Sequence, residues 1–190
     1  MFIKDWLNSR KTRLENCGAG GSCAFTGHRP QSLPFRFNES DPRCIMIKAR
    51  LKQEIDAQIS KGVYNFISGM ALGVDTWAAE IVLEERKHNK NIKLICAIPC
   101  RTQSLRWSRE AVERYDRILS KADEVVYVGE QYTSECMMNR NKYMVDRADA
   151  LIAVYSGAET GGTAATVKYA ATKKKEIIVI NPDTMGVTKY

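Results

Sequence analysis

An alternation along the chain constrains its fold more than any other feature. Six short apolar runs are separated by stretches with helical periodicity. The runs are SCAFTG at 22–27, VYNFIS at 63–68, IKLICAIP at 92–99, EVVYV at 124–128, ALIAVY at 150–155 and EIIVIN at 176–181. Between the second and third, Val74, Trp77, Ala78, Ile81 and Val82 fall on one face of a helix. A similar stripe follows Pro42 through Leu51, Ile55 and Ile59 and stops at Gly62. Another joins Ala111, Tyr115, Ile118, Leu119 and Ala122, and further helices are expected over 134–147 and 163–172. The order is therefore βαβαβαβαβαβ. Strands this apolar need cover on both faces. The expected fold is α/β, a Rossmann-like three-layer sandwich with a mostly parallel sheet of about six strands. Right-handed crossovers then bring every strand-to-helix loop to one sheet edge.

A chain of 190 residues, 44% hydrophobic, can bury a core without staples. Residues 1–21, ending in GAGG, read as an N-terminal extension, and 22–190 as a single domain. No apolar run approaches the roughly 20 residues that cross a bilayer, so no membrane partner is expected. The opening MFIKDWLNSRKTRLENC lacks the continuous apolar segment of a secretory signal. Cys17, Cys23, Cys44, Cys96, Cys100 and Cys136 form no CxxC pair, and His28 and His88 are the only histidines. A cytoplasmic protein with reduced thiols is expected, with no metal site and no cofactor. The charge of +7, from 29 basic and 22 acidic residues, suits an anionic ligand, nucleic acid or plain solubility. It does not choose between them.

Three loops carry the candidate chemistry. TGHRP at 26–30, SGMALGVD at 68–75 and SGAETGGT at 156–163 each follow an apolar strand, and the last two lead directly into helices. Backbone N–H groups at helix starts lack partners and attract anions, phosphate above all. Glycines let the chain turn tightly and approach a ligand, and Thr163 and Thr166 are candidate hydroxyl donors on the first turn. No loop is a clean GxGxxG, and there is no GxxxxGK followed by Ser or Thr, so neither a dinucleotide fingerprint nor a P-loop is present. His28 and Arg29 either meet a phosphate or base, or cap a neighbouring carboxylate. Asp75 either complements the helix dipole or accepts from a ribose. Trp107 either stacks on a base or packs in the core.

These segments also resemble a known family. SGMALGVDTWAAE at 68–80 is similar to the SGxAxGID segment of DNA-processing proteins. Arg140–Asn141 resembles their arginine–asparagine pair, and GGTAAT at 161–166 resembles the PGGxGT stretch of lysine-decarboxylase-like, cytokinin-activating proteins. Both belong to the SLOG superfamily of Rossmann-like domains. TGHRP together with these segments looks like the DUF1273, or YpsA-like, family from about residue 22 to 181, nearly the whole chain. The resemblance implies ligand contacts at Gly27, His28 and Arg29, at Ser68, Gly69, Gly73 and Asp75, and at Gly161, Gly162 and Thr163, with Arg140 and Asn141 near the same pocket. It implies a nucleotide or nucleotide-derived small molecule as partner. One departure matters. The glutamate late in PGGxGTxxE is Lys168 here, Ala164 and Ala165 replace the second glycine and threonine, and Thr160 replaces the proline. Glu159 could stand in for the lost acid only with a different geometry.

Three functions follow as expectations. The first is a nucleotide-binding sensor or regulatory module. The second is an enzyme acting at a nucleotide N-glycosidic bond through Glu159, Asp75 or His28. The third, with scattered charge and 8% aromatic residues, is binding of single-stranded nucleic acid. A homodimer is expected by analogy with related folds only.

Overall fold

All six apolar runs become strands, and each helical stripe becomes a helix. The computed structural model describes residues 20–190. The N-terminal extension therefore lies outside the described residues up to position 19, and Gly21 already opens the first strand. The strands are β1 (Gly21–Gly27), β2 (Val63–Ser68), β3 (Lys93–Ile98), β4 (Glu124–Tyr127), β5 (Ala150–Val154), β6 (Glu176–Ile180) and β7 (Val187–Lys189). The helices between them are α1 (Pro42–Ser60), α2 (Val74–His88), α3 (Arg109–Leu119), α4 (Cys136–Arg147) and α5 (Gly162–Thr172).

The strands form one sheet in the order β4-β3-β2-β1-β5-β6-β7. All pairs are parallel except β6 with β7. The sheet thus holds seven strands rather than about six. β7 is only three residues, VTK, too short and polar to show as an apolar run. It is brought back by a turn in which the Asn181 side-chain carbonyl accepts from the Asp183 and Thr184 amides, at 2.8 and 3.1 Å.

Alternating side chains feed two separate cores, as the pleat requires. Cys23 and Phe25 of β1 point into a core with Ile47, Leu51 and Ile55 of α1, Trp77 of α2 and Ile118 of α3. Ala24, between them, points the other way, against Met144 and Val145 of α4 and Ala170 of α5. Three helices thus cover one face and two the other. Helix α1 begins where Asp41 accepts from the Arg43 amide at 2.9 Å with Pro42 in the first position. Within these cores the buried thiols behave as small hydrophobes. Burial pushes the Cys96 thiol up to about 12.

β1 lies between β2 and β5, and the chain winds outward from it in both directions. That is the switch point where an open parallel sheet leaves a crevice beyond its strand ends.

Candidate functional site

A cleft of about 640 Å³ occupies that crevice. Its walls are Thr26, Gly27, His28 and Arg29 after β1, Ala71 and Asp75 after β2, Met137, Arg140 and Asn141 on α4, and the loop from Ser156 into α5. Three loops distant in sequence meet here because parallel strands all end on this edge.

The floor holds a buried ion pair. Arg140 and Asp75 are 4% and 6% exposed, and Arg140 Nη1 donates to Asp75 Oδ2 at 3.3 Å. Asp75 also accepts from the Ala71 amide at 3.3 Å. Burial raises the Asp75 carboxyl above the usual carboxylate range, and the charge of Arg140 opposes that rise. Arg140 Nε, also buried, has no hydrogen-bond partner among the described residues. A guanidinium donor held out of water without an acceptor is unfavourable.

One wall is the start of α5. Gly161, its N-cap, has φ 101°, a left-handed conformation that disfavours any side chain. By helix geometry the first amides of α5 have no carbonyl within their own helix. The turn is fixed from behind. Thr166 donates to the Gly162 carbonyl at 2.7 Å and accepts from the Asn141 amide group at 2.7 Å. Thr166 is fully buried, so it does not serve as the expected donor to a ligand. Its hydroxyl and Asn141 instead tie α5 to α4. A Cβ built at Gly161 or Gly162 would meet nothing within 4 Å among the described residues. At Gly162 no positive φ asks for glycine either.

The opposite wall is the loop after β1. His28 Nε2 accepts from the Ser156 amide at 3.1 Å and lies 3.0 Å from the Ser156 hydroxyl, which links the two walls. Burial holds the His28 imidazole below its ordinary value, with Asp183 opposing. Arg29 is exposed at the mouth, with Met137 Sδ at 4.0 Å from its Nη2.

A model of the YspA SLOG family matches residues 23–185. The chain belongs to the YpsA family. A UPF0398 protein of Bacillus thuringiensis (strain Al Hakam) is 34% identical over 156 residues, covering 81% of this chain and 84% of the relative. The SPbeta prophage-derived protein YoqJ of Bacillus subtilis (strain 168) is 34% identical over 134 residues, 64% of this chain and 78% of YoqJ. Among solved structures, DNA processing protein A from Helicobacter pylori aligns with a TM-score of 0.59 at 15% identity, over 90% of this chain and 68% of its own. The Streptococcus pneumoniae protein aligns at 0.58 and 17%, over 85% and 50%. At such identities the likeness is one of fold.

In this YpsA-family chain, nine of the twelve expected site residues line the cleft: Gly27, His28, Arg29, Asp75, Arg140, Asn141, Gly161, Gly162 and Thr163. Ser68, Gly69 and Gly73 stand behind it. Ser68 donates to the Asp75 carbonyl at 2.8 Å and accepts from the Met70 amide at 3.1 Å. Gly73 has φ 91°, and a Cβ there would lie 2.9 Å from Pro30 Cδ. Gly27, though in the lining, is also demanded by packing, because a Cβ would stand 2.5 Å from Val74. Gln31, Ser32 and Met137 line the cleft too and carried no sequence signal, since polar loop residues and a helical methionine look alike anywhere. Trp107 packs edge-on to Tyr115, with ring centroids 5.3 Å apart, away from the cleft. Glu159 is exposed and outside the lining. Lys168 donates to the Glu159 carbonyl at 2.9 Å, so it braces the loop.

Proposed function

We propose that the cleft binds the phosphate-bearing part of a nucleotide or nucleotide-derived small molecule, as a sensing or regulatory module. The observation that carries this reading is Arg140. A buried guanidinium with an orphan Nε faces the same cleft as a glycine-built helix start. Both features favour an anion, and a phosphate satisfies both at once. The volume suits a small molecule. Binding without turnover is favoured over N-glycosidic cleavage, because Asp75 is engaged by Arg140 and Glu159 lies outside the lining. Calorimetry against a panel of nucleotides and nucleotide sugars tests the reading. Silence across the panel at millimolar concentration would defeat it.

Single-stranded nucleic acid is the second reading. The Helicobacter pylori neighbour binds single-stranded DNA, and Arg29 together with the charge of +7 would suit a phosphate backbone. Among the described residues the lining holds no Phe, Tyr or Trp on which bases could stack, which favours the small ligand. Binding of an oligonucleotide that weakens steeply with salt, in a protein indifferent to mononucleotides, would reverse the preference. Light scattering reads the homodimer expected by analogy.

A further inference from the structure

We infer that Gly69 and Gln103 are positioning residues of the anion site. Neither lines the cleft; together they hold the guanidinium of Arg140 in the cleft wall, where it can meet an oxyanion. This rests on the anion-binding reading above and names what makes it work from outside the cleft.

Gly69 follows β2 and is buried. Its φ lies outside the left-handed region, so its backbone does not call for glycine. Its side-chain space does. A Cβ at this position would overlap Arg140 Nη1 and lie 2.8 Å from Asp75 Oδ2. The missing side chain is therefore the berth in which the guanidinium rests.

The next residue makes the berth rigid. Met70 is fully buried with φ 54°, a left-handed conformation unfavourable for a side-chain-bearing residue. Two contacts hold it there. Ser68 Oγ accepts from its amide, and Gln103 Nε2, reaching in from the loop between β3 and α3, donates to its carbonyl at 2.7 Å. Gln103 Nε2 also lies 3.4 Å from the Gly69 carbonyl. Strain of this kind persists only where the surroundings enforce it, and here it backs the arginine.

Nη1 is given to Asp75, and the guanidinium so anchored still lines the cleft. A guanidinium can pair with two oxygens of a phosphate or carboxylate in parallel, which a lysine cannot do.

Two measurements test the inference on the full chain: calorimetry with ADP and with inorganic pyrophosphate, and thermal unfolding. Gly69→Ala is expected to weaken binding of both probes roughly tenfold or more and to lower Tm. In an Arg140→Ala background the Tm loss from Gly69→Ala should shrink to about half or less, because the clash partner is gone. A glycine needed for backbone reasons alone would give the same loss in both backgrounds, and that result overturns the inference. Gln103→Leu keeps the volume and removes the brace. It should weaken probe binding several-fold and lower Tm by less than Gly69→Ala does, and unchanged affinity would remove Gln103 from the proposal. If the parent protein binds neither probe, the anion-binding reading fails, while the Tm comparison still decides whether Gly69 makes room for Arg140.

Discussion

Replacing Gly162 by alanine should make the protein more stable and its cleft a poorer binder. Gly162 is the first residue of α5, its φ is not in the left-handed region, and an added Cβ would meet nothing within 4 Å. At such a position alanine restricts the unfolded chain without straining the folded one, a gain of about 0.4–1 kcal/mol. For a chain of this size that raises Tm by roughly 1–4 °C. The same methyl group would stand over the amides at the helix start. A phosphate held there would lose one or more charge-assisted hydrogen bonds, each about 1.5–3 kcal/mol, which is roughly 10- to 150-fold in affinity. Gly27→Ala is the contrast, since its Cβ would press on Val74 at 2.5 Å. Overpacking of that kind costs about 1–3 kcal/mol, so Tm falls. Differential scanning fluorimetry and calorimetry with ADP read both quantities on the same samples. A fall in Tm for Gly162→Ala would show a packing role that the geometry denies. A rise in Tm with unchanged affinity would show that no ligand approaches this helix start.

Three further outcomes are expected. Arg140→Ala leaves the Asp75 carboxylate buried without its partner and should cost about 3–5 kcal/mol at neutral pH; adding Asp75→Asn should recover much of it in urea unfolding, and no recovery would contradict the pairing. His28 is held below its ordinary value of 6.5 and accepts from Ser156, so the unfolded chain binds the proton more readily. Its contribution to stability is complete above 6.5 and is lost as pH falls through the lower folded value, a slope that His28→Gln should flatten in pH-dependent unfolding. Glu39 is the acceptor for Arg114, Lys48 and the Trp77 indole. Burial alone would raise its carboxyl, but those hydrogen bonds outweigh burial and hold it at about 2. Its contribution is thus present above the ordinary value of 4.5 and fades as pH falls through about 2, and Glu39→Gln should reduce the acid sensitivity measured by circular dichroism.

Much of the fold and most of the site lining were legible in the sequence, for one reason. Apolar runs of four to eight residues between helical stripes leave few topologies, and parallel strands gather the loops after β1, β2 and β5 at one edge whatever the side chains do. That placed Gly27–Arg29, Asp75 and Gly161–Thr163 near each other before any distance was known. Strand β7 escaped because a three-residue antiparallel strand needs a partner edge, not an apolar pattern, to exist. Thr166 was misjudged because a hydroxyl four residues into a helix can face either way, and only the position of Asn141 on α4 turned it inward.

The division between the two levels is clearest in the glycines. The family resemblance, read on three loops at strand ends, marked Gly27, Gly69, Gly73, Gly161 and Gly162 as a set. Tertiary structure separated them. Gly73 and Gly161 carry a left-handed backbone, Gly27 yields room to Val74, Gly69 yields it to Arg140, and Gly162 yields it to nothing among the described residues. A chain records that a side chain is absent; only packing shows what takes up the space, because the neighbours that fill it come from strands and helices distant in sequence.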